Sequence, residues 1–115
     1  MLDKLTDFVL EHTDYFDREK IKEVLQKHIE YNTIACPIDK DGEIMGLAIW
    51  NIKDETAYIT EVIVNPKYRG KNFIKYLIAL GWEKWKWVKY ICFKRERKYG
   101  NRVRLYKIKD FFKKE

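Results

Sequence analysis

Two long apolar runs, at 43–52 and 56–64, meet across the turn Lys53-Asp54-Glu55, and the second run stops at Asn65-Pro66. This pair constrains the fold more than any other feature of the chain. Runs of this length, rich in β-branched residues and bounded by turn residues, predict strands. A three-residue reversal joins neighbouring strands as a hairpin. Pro66 has no N–H to give a ladder, so the second strand cannot continue through it. Upstream, Asp41-Gly42 is a hairpin turn signal. It places a short strand at 33–38, and Pro37 within it marks an edge or a bulge.

The flanks are helical. Leu2, Leu5, Phe8 and Val9 share one stripe of a first helix ending near His12. Asp17 is a candidate N-cap for a second helix whose apolar face carries Ile21, Val24, Leu25, His28 and Ile29. After the Asn65-Pro66 stop, Phe73, Ile74, Leu77, Ile78, Leu80 and Trp82 predict a third helix over 72–85, weakened towards its end by Gly81. Trp82 and Trp85 are expected to pack this helix on the sheet. A strand over 88–93 follows. The basic stretch after it contains Tyr99-Gly100-Asn101, so 94–105 reads as a β-hairpin with a Gly-Asn turn. The order of elements is that of an α+β fold, a mixed and mostly antiparallel sheet flanked by helices. The length of 115 residues suits one domain over 1–115.

Charge adds a second constraint. The formal net charge is +6, and much of the excess follows residue 83, in Lys84, Lys86, Lys89, Lys94, Arg95, Arg97, Lys98, Arg102, Arg104, Lys107, Lys109, Lys113 and Lys114. Such a field favours polyanions: nucleic acid, an acidic protein, or the phosphates of a nucleotide-containing cofactor. The alternative is a solvated basic face. No apolar leader opens the chain, and no apolar run reaches the ~20 residues of a membrane span. Cys36 and Cys92 lie in apolar, strand-like contexts without paired spacing. A soluble cytoplasmic protein with free thiols and no membrane partner is expected. His12 and His28 are isolated, so no metal site is expected.

The stretch 41–80 carries a resemblance. Gly42-Glu43-Ile44-Met45-Gly46-Leu47-Ala48-Ile49 is followed by Ala57-Tyr58-Ile59-Thr60-Glu61-Val62-Ile63-Val64-Asn65-Pro66-Lys67-Tyr68-Arg69-Gly70-Lys71. A hairpin, a strand, the phrase V-x-P-x-Y-R-G and a helix in this order resemble the GCN5-related N-acetyltransferases (GNAT). The resemblance implies an acyl-CoA N-acyltransferase fold, shortened at both ends, and acetyl-CoA as cofactor. It implies that Val62, Ile63 and Val64 face the pantetheine arm as an added strand would. It implies that Arg69, Gly70, Lys71, Asn72, Phe73 and Ile74 form the pyrophosphate loop at a helix N-terminus. The loop departs from the family's R-x-x-G-x-G/A, with Asn72 for glycine and Ile74 for a small residue. Asparagine tolerates left-handed backbone angles, so the turn is expected to survive. Ile74 is expected to obstruct the approach of the pyrophosphate. Short basic forms of this fold resemble those of phage and other mobile elements.

The resemblance also implies the chemistry, acetyl transfer from a thioester to an amine, which needs a base and an acid. Glu61, a carboxylate within an apolar strand, is the candidate base. The other reading pairs it with a lysine. Leu105-Tyr106-Lys107-Ile108-Lys109-Asp110-Phe111 resembles the family's L-Y-x-x-x-G-F, where the tyrosine early in the last helix is the acid. In the hairpin reading Tyr106 is instead an ordinary strand aromatic. Two functions stay open: an acetyl-CoA-dependent N-acetyltransferase with an unspecified amine acceptor, and an inactive scaffold. The second would bind nucleic acid or an acidic protein through Lys94, Arg95, Arg97, Lys98, Arg102 and Arg104. A free edge near Pro37 or along the last strand also makes a homodimer an expectation.

Overall fold

The computed structural model describes residues 1–70, 72–97 and 100–112, with backbone alone at 94–97 and 100–102. The helices α1 (Leu2–His12) and α2 (Arg18–Tyr31) precede β1 (Ile34–Ala35), β2 (Gly46–Lys53) and β3 (Thr56–Val64). A 3₁₀ turn, Pro66–Tyr68, leads to α3 (Phe73–Trp82), then β4 (Tyr90–Arg97), β5 (Gly100–Lys107) and α4 (Ile108–Phe111). The five strands form one sheet in chain order. Every neighbouring pair is antiparallel except β3 and β4, which run parallel because α3 carries the chain across between them.

Local chemistry sets these elements. The Asp17 carboxylate accepts from the Lys20 amide at 3.1 Å and starts α2. Asn32, at φ 57°, ends α2 in the left-handed cap that asparagine tolerates. The Asp39 side chain accepts from the amides of Asp41 (2.9 Å) and Glu43 (3.0 Å), and Gly42 supplies φ 83°. These bonds hold residues 39–43 as a turn, so the long second strand begins at Gly46 rather than at Glu43. The first strand is likewise only two residues long, not the six of 33–38. Beyond it the pairing is reduced to an isolated Ile38–Ile44 bridge and a bond from the Met45 amide to the Pro37 carbonyl. Pro37 itself cannot donate.

Apolar alternation fills both faces of the sheet. Leu5, Phe8 and Val9 of α1 and Leu25 of α2 pack with Leu47, Ile49 and Ile63 on one face. Leu77 and Ile78 of α3 pack with Trp50, Ile59 and Ile91 on the other, where Ile108 of α4 joins them. The helix α3 stops at Trp82, three residues before the predicted end. Trp85 therefore leaves the helix, yet it is buried edge-on against Trp50 at 6.0 Å between rings. Trp82 stacks on Phe112 at 5.1 Å. The predicted C-terminal hairpin exists as β4–β5, but Arg97 pairs with Gly100. Gly100 and Asn101 are thus strand residues, and the predicted turn residue Tyr99 lies with Lys98 outside the described residues.

Two irregularities distinguish β3 from a regular central strand. Ile59 pairs with Trp50 while Glu61 pairs with Ile49, so Thr60 is an extra residue, a bulge, whose Oγ1 donates to the Ile49 carbonyl at 3.2 Å. The extra residue shifts the alternation of side chains. Ala57 and Ile59 face α3 before the bulge and Val62 and Val64 after it, which leaves Ile63 against α1. In addition, β4 pairs with β3 only from Thr56 to Ile59. Beyond that point the strands separate, and the edge of β3 from Thr60 to Val64 has no ladder partner on that side among the described residues.

Candidate active site

The separation of β3 from β4 opens a cleft of about 980 Å³. Its walls are the open edge of β3, the β3–α3 connection, the first turn of α3, and Phe93 and Phe111. Glu61, Val62, Ile63, Val64, Arg69, Gly70, Asn72, Phe73 and Ile74 all line it. Lys71, the remaining loop candidate, lies outside the described residues.

The connection is built to be firm where it leaves the strand. Asn65 is 8% exposed, and its Oδ1 accepts from the Lys67 amide (3.1 Å) while its Nδ2 donates to the Ile44 carbonyl (3.0 Å). Tyr68 donates to Asp39 at 2.6 Å. That bond holds the Asp39 carboxyl below its ordinary value and pushes the Tyr68 phenol up to about 12. Gly70 takes φ 86° and Asn72 φ 57°, ψ 29°, so asparagine does adopt the left-handed turn that a glycine would otherwise serve. Among the described residues no side chain caps α3, and its first amides retain their capacity for an acceptor. Ile74, on that first turn, is 38% exposed to the cleft. Arg69 folds back, its Nε donating to the Val64 carbonyl at 3.2 Å.

A second cavity, of about 500 Å³, lies on the opposite face of the sheet. The α1–α2 connection, α2, and the strands β2 and β3 enclose it. Thr60 and Glu61 line both cavities, so the bulge is where the two meet. The Glu61 carboxylate accepts from the Tyr15 hydroxyl at 2.9 Å, and among the described residues its partner is this phenol rather than a lysine.

Tyr106 lies elsewhere. It is a residue of β5, since the last helix starts only at Ile108, and its ring packs on Phe93 (6.2 Å) and Phe111 (5.7 Å) behind the cleft wall. Its hydroxyl accepts from Arg104 at 3.4 Å, and the structure does not bring it to Glu61. Of the basic hairpin, only the Arg104 side chain is described, and it is exposed. Lys98 lies outside the described residues, as do the side chains of Lys94, Arg95, Arg97 and Arg102. Two residues that the sequence does not announce, His12 and Thr13, line the cleft at the end of α1. The His12 Nδ1 lies 2.9 Å from the Phe8 carbonyl, which can only accept, so that nitrogen carries the proton. Cys36 and Cys92 are free thiols, and burial pushes that of Cys36 up to about 11. Among the described residues no group of His, Cys, Asp and Glu could hold a metal, and no helix is long and apolar enough to cross a membrane.

Solved structures share this architecture. An acetyltransferase of the GNAT family from Listeria monocytogenes superposes with a TM-score of 0.66 at 15% identity, covering 93% of this chain and 89% of that one. The PaiA N-acetyltransferase of Thermoplasma acidophilum, in complex with coenzyme A, gives 0.64 at 20% identity, covering 84% and 74%. A protein from Pyrococcus horikoshii gives 0.66 at 14% identity over 83% of this chain, which spans only 35% of that protein's length. No curated protein matches in sequence. The family model of the acetyltransferase (GNAT) family matches residues 3–85, well over half of the chain. With a five-stranded mixed sheet, a splayed central pair and that match, the chain belongs to the GNAT family of acetyltransferases.

Proposed function

We propose that the protein transfers an acetyl group from acetyl-CoA to an amine, with Glu61 as the base. The observation that carries this reading is the position of Glu61 at the one stretch of strand common to both cavities. A carboxylate there can reach a group arriving from either face. Acetyl-CoA, when bound, supplies a thioester carbonyl that an amine can attack. The open edge of β3 between Thr60 and Ile63 offers backbone groups to an extended pantetheine arm, as one strand does to another. The uncapped start of α3, reached through the left-handed turns at Gly70 and Asn72, suits the pyrophosphate. Arg69 brings positive charge to the same end. Ile74 lines the same cleft, on the first turn of α3. On the far side Glu61 accepts the proton that the amine loses, while the hydrogen bond from Tyr15 fixes the orientation of its carboxylate.

The test is thiol release from acetyl-CoA in the presence of a panel of primary amines, for the wild type and Glu61→Gln. The expected result is turnover with at least one amine, and a rate in Glu61→Gln lower by about 10²-fold, with acetyl-CoA affinity retained. An unchanged rate in Glu61→Gln would remove its role as base. No transfer to any amine by a wild type that binds acetyl-CoA would remove the function.

A further inference from the structure

The second cavity has a chemistry of its own, and, taken with the proposed acetyl transfer on which this reading rests, it defines the acceptor. Its lining changes character along α2. Near the helix N-terminus stand Asp14, Tyr15, Asp17 and Lys20, with Glu61 on the strand. Further along come Ile21, Val24 and Leu25 of α2, opposite Leu47 and Ile49 of β2, and the last α2 residue to line the cavity is His28. Three carboxylates stand against the single lysine, so the lining is negative by two charges in a chain whose net charge is +6. After Asp17 no further carboxylate of α2 lines the cavity. From Asp17 to His28 the helix rises ~16 Å at 1.5 Å per residue. His28 offers no anion either: its Nδ1 lies 2.6 Å from the Thr33 hydroxyl, and burial pushes its pKa down. Apolar surface is also left uncovered here, with Phe16 93% exposed and Val24 42% exposed.

We infer that the acceptor is a monoamine with an apolar body, its ammonium group beside Glu61 and its hydrocarbon portion along Ile21 and Val24. A polyamine extended along α2 is disfavoured by the same lining, because a second ammonium beside Ile21 and Val24 would meet no carboxylate there. A free alcohol of equal length would fill the apolar part but leave the carboxylates without a cation.

The experiment uses the full chain and the n-alkylamines from propylamine to octylamine, with 1-octanol and spermidine as comparisons. Binding is followed by calorimetry and by methyl NMR shifts at Val24 and Leu25, and acetyl transfer is followed separately. Each added methylene should tighten binding about three- to fourfold until the apolar part is filled. Octanol should bind at least 10-fold more weakly than octylamine, and spermidine no tighter than propylamine. Val24→Asp, at a half-exposed position of α2, should flatten the chain-length series while the thermal midpoint stays near that of the wild type. A flat series in the wild type, spermidine binding tighter than octylamine, or octanol matching octylamine would each overturn the inference. A graded series of binding without acetyl transfer would leave the cavity's preference standing and refute the catalytic reading. Transfer without a graded series would do the reverse.

Discussion

At Gly46 the sheet and α3 stand in close contact, and Gly46→Ala tests whether that contact holds the cleft in shape. A Cβ at this position would lie 2.8 Å from Cε1 of Phe73, 3.0 Å from the Ile63 carbonyl oxygen and 3.3 Å from Cδ1 of Leu77. Carbon pairs settle at about 3.5–4.0 Å, so the Phe73 contact is short by roughly 1 Å. Neither neighbour retreats easily. The Ile63 carbonyl belongs to a strand paired residue by residue with β2, Gly46 itself against Val64. The Phe73 ring lies between Tyr68, at 5.7 Å, and Tyr76, at 5.3 Å. Overpacking of this kind costs about 1–3 kcal/mol. The lower chain entropy of alanine offsets roughly 0.5 kcal/mol of it. A net loss of about 1.5 kcal/mol should lower the thermal midpoint by roughly 4–8 °C for a domain of this size. Urea unfolding followed by circular dichroism and tryptophan fluorescence measures it, with an unchanged slope confirming a native-state effect. The cost of Gly46→Ala should fall to less than half in a Phe73→Leu background, which removes Cε1, the nearest atom of the clash. A loss below about 0.5 kcal/mol, or strict additivity with Phe73→Leu, would refute the claim that α3 bears on the sheet at this glycine.

Other expectations come from the same geometry. Deleting Thr60 removes the bulge and exchanges the faces of residues 61–64, sending Ile63 out of its pocket against α1. The variant should lose more than about 2 kcal/mol of stability and all measurable acetyl-CoA binding, and a stable, binding-competent deletion would contradict the bulge's role. Tyr68→Phe deletes only the hydroxyl bonded to Asp39. Asp39 is held below its ordinary 3.8, so its stabilisation is present above that pH and lost as pH falls through its lowered value. Tyr68 is raised from 10.0 to about 12, so its share is present below pH 10 and lost as pH rises through about 12. The gap in thermal midpoint between the wild type and Tyr68→Phe should therefore be widest near neutrality and narrow at both ends, and a gap independent of pH would argue against the bond. Ile74→Ala should tighten acetyl-CoA binding at least threefold by calorimetry. Equal affinity would mean that the isoleucine does not stand in the cofactor's way.

The part of the fold legible in the sequence is the part set by short-range pattern. Thr56–Val64 is a strand over the span that its composition and Pro66 define. Asp17 caps the helix it precedes, and Asn72 takes the left-handed turn that its side chain permits. What is illegible depends on long-range partners. The two-residue length of β1 follows from how Asp39 folds the next turn, a network that spacing does not reveal. Trp85 continues the apolar periodicity of α3 yet leaves the helix, because the rim of the Trp50 ring takes it instead. The bulge at Thr60 has no signature in sequence, although it decides which side chains of β3 line each cavity. Residues 102–112 present two local patterns, and antiparallel pairing over eight positions from Tyr90–Lys107 to Arg97–Gly100 makes the stretch strand up to Lys107, with helix only from Ile108. Tyr106 accordingly joins the aromatic backing of the cleft instead of its lining. Glu61 stands out in the sequence as unusual for its strand, but its neighbour Tyr15 lies 46 residues away and no motif links them.

The splay of β3 from β4, closed at one end by the left-handed residues Gly70 and Asn72, is proposed as a working site for acetyl-CoA. Calorimetric titration of acetyl-CoA into the full chain tests it most directly, with ADP as the control for general attraction of phosphates to a basic protein. Saturable one-to-one binding is expected, at least 10-fold stronger than ADP and lost in Arg69→Glu. Binding no stronger than ADP, or unaffected by Arg69→Glu, would contradict it.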